Sequence, residues 1–258
     1  MNKTDDLPAV SDADLWTGLR RLTAARIGLK RSGASLATAP LLAFQLAHAQ
    51  ARDAVHAELD APRLAYDLAG HGVPVLTVES AAADKKAYLM RPDLGRALTG
   101  TGEAALAPHA GAYDIVFVVS DGLSARAVEV HAAPVIAEAL ALLRANALRI
   151  APFVIVRHGR VAVGDAVAAL LGAQCAVMLI GERPGLSAPD SMGAYLTFRP
   201  NAQTSDAERN CISNIRPAGI GYADAGFKLA HLLKAMRKRG VSGIRLKDDS
   251  ERLRIGGG

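Results

Sequence analysis

The sequence predicts an α/β fold in which a Rossmann-like parallel sheet is flanked by helices and preceded by a small helical N-terminal domain. Half of the 258 residues are hydrophobic but aromatic residues make up only 4%, so the core must be built from Ala, Val, Leu and Ile. Such a core suits helices packed on a parallel sheet better than an all-β sandwich. Apolar runs alternate with helical patterns only from residue 61 onward. We therefore expect two domains, residues 1–60 and 61–258.

The N-terminal domain is predicted to contain two helices. Ser11 followed by Asp14 resembles a weak capping box at the start of the first helix, and Gly33 offers a stop. Thr38 can cap the second helix, with Pro40 in its first turn. A polar stripe on this second helix can be either a solvated face or a docking face. It consists of Gln45, His48, Arg52 and His56.

Five apolar runs are predicted as strands of the second domain. They are residues 73–78, 114–119, 152–156, 175–180 and 194–198. Pro74 indicates an edge or strand-start position for the first run, since proline cannot donate to a sheet ladder. Apolar residues at helical spacing lie between the runs, and the last helix is predicted to stop at Gly240. Continuous β-branched runs joined by helices predict a parallel sheet with helices on both sides.

Residues 180–217 form a long stretch with little helical periodicity, rich in Gly, Ser, Asn, Arg and Pro. A stretch of this kind in a compact domain is usually either disordered or a binding surface. Interleaved apolar and aromatic residues such as Tyr195, Phe198 and Ile212 argue against disorder. We interpret the segment as a ligand- or partner-facing surface on a rigid scaffold.

Charge, hydropathy and cysteine content argue against a nucleic-acid partner, a membrane partner and an oxidising compartment. The net charge of +5 is spread over two distant clusters, and few aromatic residues are present to stack bases, so we expect no nucleic-acid partner. No apolar run reaches the roughly 18–20 residues that span a bilayer, so we expect no membrane partner. Two cysteines and no recognisable signal peptide indicate a reduced, cytosolic type of chain.

Three loops leave predicted strand ends, where ligands bind in open parallel sheets. They are residues 120–124, 157–165 and 181–185, in which Ser124 and Asp165 can cap the following helices. None matches a dinucleotide or P-loop glycine fingerprint, and no cysteine or histidine pair has metal-ligand spacing. Cys211 has two readings: a thiol whose pKa is lowered by Arg209, or a small buried thiol in a tight loop. These residues predict a ligand-binding α/β protein, and a stand-alone oxidoreductase stays an alternative.

Six motifs, in order, resemble one family along nearly the whole chain, from about Leu15 to Lys247. They are FQLAHAQARDAVH (44–56), YLMRPDLG (88–95), SDGLS (120–124), GRVAVGD (159–165), IGERPGLS (180–187) and ERNCISNIRP (208–217). By these motifs the chain is identified as a member of the small (light) subunits of adenosylcobalamin-dependent ethanolamine ammonia-lyase. The resemblance implies a hetero-oligomer whose large subunit, a TIM barrel, holds ethanolamine and the residues around the substrate radical.

The resemblance also implies the chemistry and the location of the site. Adenosylcobalamin (coenzyme B12) lies between the subunits, its cobalt–carbon bond breaks homolytically, and ethanolamine becomes acetaldehyde and ammonia. Carried over residue by residue, the family's cofactor contacts are Val161, Glu182 and Cys211 in this chain. No catalytic residue and no cobalt ligand is expected here, since the cofactor carries the difficult chemistry.

The resemblance implies a cytoplasmic location, either free or inside a bacterial microcompartment. Some family members carry a longer N-terminal extension that is associated with packaging into such a compartment. About fourteen residues precede the first predicted helix here, which argues against packaging through this subunit.

Overall fold

The computed structural model of the chain describes residues 12–144 and 147–250. Helix α1 (Asp12–Arg20) is followed by a short hairpin of β1 (Arg31–Ser32) and β2 (Ser35–Leu36), then by α2 (Thr38–His56). The predicted capping box begins at Ser11, which lies outside the described residues. Gly33 does not stop a helix: it forms the hairpin turn, with a φ of 60° that suits glycine.

Helix α2 lies mostly on the surface. Thr38 was predicted as its cap but is its first residue; the cap position is Ala37, which makes no side-chain cap hydrogen bond. Only Ala47 and Ala54 of this helix are buried, and the four residues of the polar stripe are exposed. The domain boundary at residue 60 stays a prediction.

The sheet has six strands in the described residues, in the order β3–β5–β4–β6–β7–β8. Their bounds are β3 (Val75–Glu79), β4 (Tyr113–Ser120), β5 (Phe153–Arg157), β6 (Ala173–Gly181), β7 (Met192–Phe198) and β8 (Arg209–Ile215). The first four run parallel, and each of the remaining two runs antiparallel to the strand before it. The predicted α/β fold is confirmed, with a mixed rather than wholly parallel sheet. Pro74 directly precedes edge strand β3, as expected.

Helices cover both faces of the sheet. Helices α3 (Ala61–Ala69), α6 (Ala125–Leu143) and α8 (Tyr222–Arg239) pack on one face, where Phe117 and Phe153 meet edge to face with ring centres 5.8 Å apart. Helices α5 (Gly100–Leu106) and α7 (Val163–Leu171) pack on the other face, and α4 (Lys85–Met90) follows β3. Helix α8 ends before Gly240, as predicted. No helix within the described ranges is long and apolar enough to cross a membrane.

The last two strands position the candidate site. The predicted strand at residues 194–198 is confirmed as part of β7. The irregular interpretation of residues 180–217 is wrong for β8, which pairs antiparallel with β7. Such a pair needs no crossover helix. Helix α8 covers one face of β7–β8, while α7 packs against β4 and β6, so the second face of β7–β8 stays open. Tyr195 and Cys211 are paired across these strands and lie on that face, where Tyr195 is half-buried and Cys211 is exposed.

Candidate functional site

Two adjoining hollows lie beside the ends of the parallel strands and the open face of β7–β8. The first has a volume of about 480 Å³ and is lined by Pro92, Asp93, Arg96, Arg160, Val161, Ala162, Tyr195, Asp206, Arg209 and Cys211. The second, of about 460 Å³, is lined by Tyr88, Leu123, Arg160, Val161, Ile180, Gly181, Glu182, Arg183 and Tyr195. Arg160, Val161 and Tyr195 belong to both, so the hollows form one continuous surface.

The three residues predicted as cofactor contacts all line this surface. Val161 lies half-buried in the loop between β5 and α7 and borders both hollows. Glu182 follows the last residue of β6 and lines the second hollow, while Cys211 lies within β8 and lines the first. Tyr195 of β7, which the sequence reasoning did not select, borders both hollows between them. Tyr195 stands between Ala194 and Leu196, whose side chains are buried in the core. Because neighbouring residues of a strand point to opposite faces, the sequence alone could have placed Tyr195 on the face away from that core.

The Cys211 thiol and the Tyr195 phenol, which are paired across β7 and β8, each influence the pKa of the other. Burial raises the pKa of Tyr195 to about 12, and Cys211 and Glu182 act in the same direction. Desolvation raises the pKa of the Cys211 thiol above its ordinary value, and the carboxylate of Glu182 adds to this rise, while the hydrogen bond with Tyr195 opposes it. The thiol is therefore neutral near pH 7. Both sequence readings of Cys211 are wrong: its pKa is not lowered, and it lies exposed in a strand rather than buried in a loop.

Glu182 joins the ends of β6 and β8. Its carboxylate accepts a hydrogen bond from the backbone N–H of Asn214, with N–O distances of 3.2 and 3.1 Å, and its own N–H donates to Ser191 O at 2.9 Å. Glu182 remains half-exposed. Because an ionised carboxylate can accept several hydrogen bonds, it keeps acceptor capacity for a ligand in the second hollow.

Arg209 and Asp165 form a buried ion pair beside the first hollow. Two hydrogen bonds of 2.7 Å connect the guanidinium to the carboxylate, and Arg209 also donates to Thr197 Oγ1 and Asp206. Burial alone would lower the pKa of Arg209, but Asp165 and Asp206 raise it above its ordinary value. Asp165 was predicted as a helix cap. It lies instead in the first turn of α7, whose cap position is Ala162.

Asp121 organises the loop after β4. Its Oδ1 accepts from the backbone N–H of His158 at 2.7 Å, and its Oδ2 lies 3.2 Å from His158 Nδ1 and 3.4 Å from Lys85 Nζ. Burial would raise the pKa of Asp121, but the hydrogen bonds from His158 and the charge of Lys85 outweigh burial, so the pKa is lowered. His158 adopts a φ of 55°, which is strained for a residue other than glycine.

Ser124 occupies the predicted N-cap position of α6 but makes no capping hydrogen bond, and its hydroxyl donates instead to Pro189 O at 3.2 Å.

Glycines at the strand ends permit close contacts within the chain itself. A Cβ at Gly181 would collide with the carbonyl oxygen of Ser124. A Cβ at Gly159 would lie 2.9 Å from both Ser120 Oγ and Val163 Cγ1. These two glycines bring the loops after β4, β5 and β6 together and so shape the hollows.

The residues that line the two hollows are suited to binding a ligand. In the part of the chain that the structure describes, no three His, Cys, Asp or Glu side chains are grouped to hold a metal ion. The surface combines the apolar Val161, the aromatic Tyr195, a neutral thiol and the carboxylate of Glu182. Such a mixture suits a large ligand with neutral amide groups and apolar edges.

Comparisons with known proteins agree with the motifs. The model of the family described as "Ethanolamine ammonia-lyase light chain (EutC)" matches residues 13–247. The chain is 51% identical to an ethanolamine ammonia-lyase small subunit from Ralstonia nicotianae, over 97% of this chain and 94% of that protein. It is 50% identical to the small subunit from Azotobacter vinelandii, over 98% of this chain and 95% of the relative. The chain therefore belongs to the ethanolamine ammonia-lyase light-chain family.

Proposed function

We propose that the chain, as the small subunit of an ethanolamine ammonia-lyase, forms one side of an adenosylcobalamin site that the large subunit completes. The observation that carries this proposal is the common location of Val161, Glu182 and Cys211 on one surface of two adjoining hollows. These residues come from three separate segments of the chain, and the resemblance selected them without regard to geometry.

The residues present fit such a cofactor chemically. The rim of a corrin ring carries neutral amides and methyl groups, and its nucleotide loop carries a phosphodiester. Glu182 can accept an amide N–H, Val161 and Tyr195 offer apolar surface, and Cys211 offers a neutral, polarizable sulfur. Arg160 lines both hollows, and its guanidinium can donate hydrogen bonds to a ligand there. A corrinoid is larger than either hollow, which supports a shared site between two subunits.

The bound cofactor would supply the radical chemistry, through homolysis of its cobalt–carbon bond. The role of this chain would be to bind and orient the cofactor. Glu182, fixed by the Asn214 N–H, would hold an amide in one orientation, while Tyr195 and Val161 would exclude water from the covered face. We assign no proton transfer to this chain, because the raised pKa values keep the Cys211 thiol and the Tyr195 phenol neutral near pH 7. Ethanolamine would be bound by the large subunit. For location we propose the cytoplasm, either free or inside a bacterial microcompartment.

Co-expression with the large subunit tests the proposal. The purified complex should change the absorption spectrum of added adenosylcobalamin and convert ethanolamine to acetaldehyde and ammonia. The isolated chain should bind the cofactor weakly and show no deamination, because it presents one side of the site. Deamination by the isolated chain, or a complex that does not bind the cofactor, would contradict the proposal.

A further inference from the structure

Arg160 differs from the other arginines of the first hollow in its ion pairing. Arg209 is paired with Asp165 at 2.7 Å, and Arg96 lies 3.9 Å from Asp206. Among the described residues, no carboxylate oxygen lies within ion-pair distance of the Arg160 guanidinium. Asp93, the remaining acid of this hollow, is bound by Arg91 at 2.6 Å. Arg160 is therefore a half-buried positive charge without a counterion at the wall shared by both hollows.

The Arg160 side chain is nevertheless held in a fixed position. Its Nη2 donates to Tyr88 O at 2.7 Å, and the centre of its guanidinium lies 4.5 Å from the centre of the Tyr88 ring. Its backbone N–H donates to Gly95 O at 2.7 Å. Stacking on the buried Tyr88 thus orients the planar guanidinium at the wall of both hollows.

The Arg160 guanidinium combines a fixed orientation with the absence of a carboxylate partner among the described residues. Because Arg160 lines both hollows, a ligand in either of them can reach its side chain. The planar fork of N–H donors on a guanidinium matches the oxygens of a phosphate better than it matches a neutral amide.

We propose that Arg160 binds the phosphodiester of the cobalamin nucleotide loop and so makes the site selective for complete cobalamins over corrinoids that lack the nucleotide. This inference rests on the proposed function, because it assumes that a cobalamin occupies the hollows. Arg183, another cation lining the second hollow, is exposed to solvent and is not held by a ring, so it is less suited to the role.

The test compares two corrinoids in the complex of both subunits. Adenosylcobalamin carries the phosphodiester, whereas adenosylcobinamide lacks the nucleotide and its ribose phosphate. Arg160→Gln should weaken adenosylcobalamin binding roughly 10–150-fold, as for loss of a charged hydrogen bond, and leave adenosylcobinamide binding unchanged. Arg160→Lys should show a smaller loss for adenosylcobalamin alone. Arg239→Gln is the matched control, since Arg239 is exposed in the last turn of α8 and lines neither hollow.

The outcomes separate this inference from the proposed function. Equal losses for both corrinoids, or no loss for either, would overturn the role of Arg160 and leave the cofactor site intact. A wild-type complex that binds neither corrinoid would overturn the proposed function and this inference together. A melting curve of each complex without corrinoid reports on folding. If the glutamine complex does not assemble, the lysine variant decides in the same way, and an equal loss for both corrinoids would count against the inference.

Discussion

Arg209 and Asp165 connect the first residue of β8 to the first turn of α7 through two hydrogen bonds of 2.7 Å. Both side chains are nearly buried, with 3% and 9% of their surface exposed. The pair holds the open side of β7–β8 against the helix that follows the Val161 loop. It therefore fixes the separation of two walls of the first hollow.

Removal of one partner of this pair should destabilise the fold strongly. Asp165→Ala leaves a buried guanidinium without its main counterion, so we expect a loss of about 3–5 kcal/mol in the free energy of unfolding. Urea unfolding of the isolated chain measures it. Asp67→Ala, which breaks the exposed Arg63–Asp67 pair, is the control and should cost less than about 1 kcal/mol. Similar losses for the two variants would show that the buried pair has no special structural role.

Replacement of Glu182 should separate cofactor contact from stability. Glu182→Gln keeps an oxygen acceptor for the Asn214 N–H but removes the charge. We expect Glu182→Ala to weaken adenosylcobalamin binding by the complex roughly 10–150-fold, with Glu182→Gln less affected. Cofactor titration and melting curves without cofactor distinguish the roles. Unchanged affinity of the alanine variant, combined with a large loss of stability, would make Glu182 a structural residue.

Asp121 should make the free energy of unfolding fall at low pH. Its pKa in the folded chain is lowered, so its stabilisation is fully present above the unfolded value of about 3.9 and is lost as the pH falls through the lower folded value. Wild type should therefore exceed Asp121→Asn in stability at about pH 5, and the difference should shrink below about pH 4. Urea midpoints of both proteins between about pH 2 and 5 measure it. A difference that grows as the pH falls through this range would contradict the sign.

Cys211 should react slowly with alkylating reagents despite its exposure. Its raised pKa keeps the thiolate fraction low at neutral pH, and only the thiolate reacts. Iodoacetamide labelling of the isolated chain should increase steeply above about pH 8.5, the ordinary thiol value. Cys211→Ser should abolish labelling, whereas Cys175→Ser should not, because Cys175 is buried and its pKa is raised to about 12. Fast labelling that is already maximal at neutral pH would disprove the raised pKa.

The surface of α2 or the segment after β6 should be covered when the large subunit binds. Leu42 and Leu46 are 58% and 62% exposed, and neither the polar stripe nor residues 182–191 are needed to complete the sheet. We expect amide hydrogen exchange in at least one of the segments 44–56 and 182–191 to slow when the complex assembles. The end of α8, residues 234–239, is the internal reference. Unchanged exchange in both segments would remove this interface assignment.

The parallel strands were predictable because their burial is continuous. The predicted strand at residues 114–119 lies within the observed Tyr113–Ser120, and every residue from Asp114 to Ser120 is buried. Strand β8 could not be predicted from an apolar run. Its sequence RNCISNI is mostly polar, because one of its faces is open, and its buried and exposed residues do not alternate regularly. Only the pairing with β7, which no local pattern encodes, makes it a strand.

The residues of the candidate site could be predicted where they follow strand ends, and could not where they depend on contacts between distant parts of the chain. Val161 and Glu182 lie in loops after β5 and β6, which a parallel sheet marks as binding positions. Arg160 and Tyr88 are 72 residues apart, and Asp165 and Arg209 are 44 apart. Contacts over such separations depend on how helices and loops pack across the sheet. The orientation and pairing of these arginines therefore emerge only in three dimensions.

The ion pair between α7 and β8 has a consequence for how the surface of the two hollows meets a ligand. Because Arg209, Asp165, Asp121 and Glu182 join its walls by hydrogen bonds, the surface acquires its shape when the chain folds. A surface that is rigid beforehand loses little conformational entropy when a large molecule settles on it. Preorganisation of this kind lets a subunit that contributes one side of a site do so with few direct contacts.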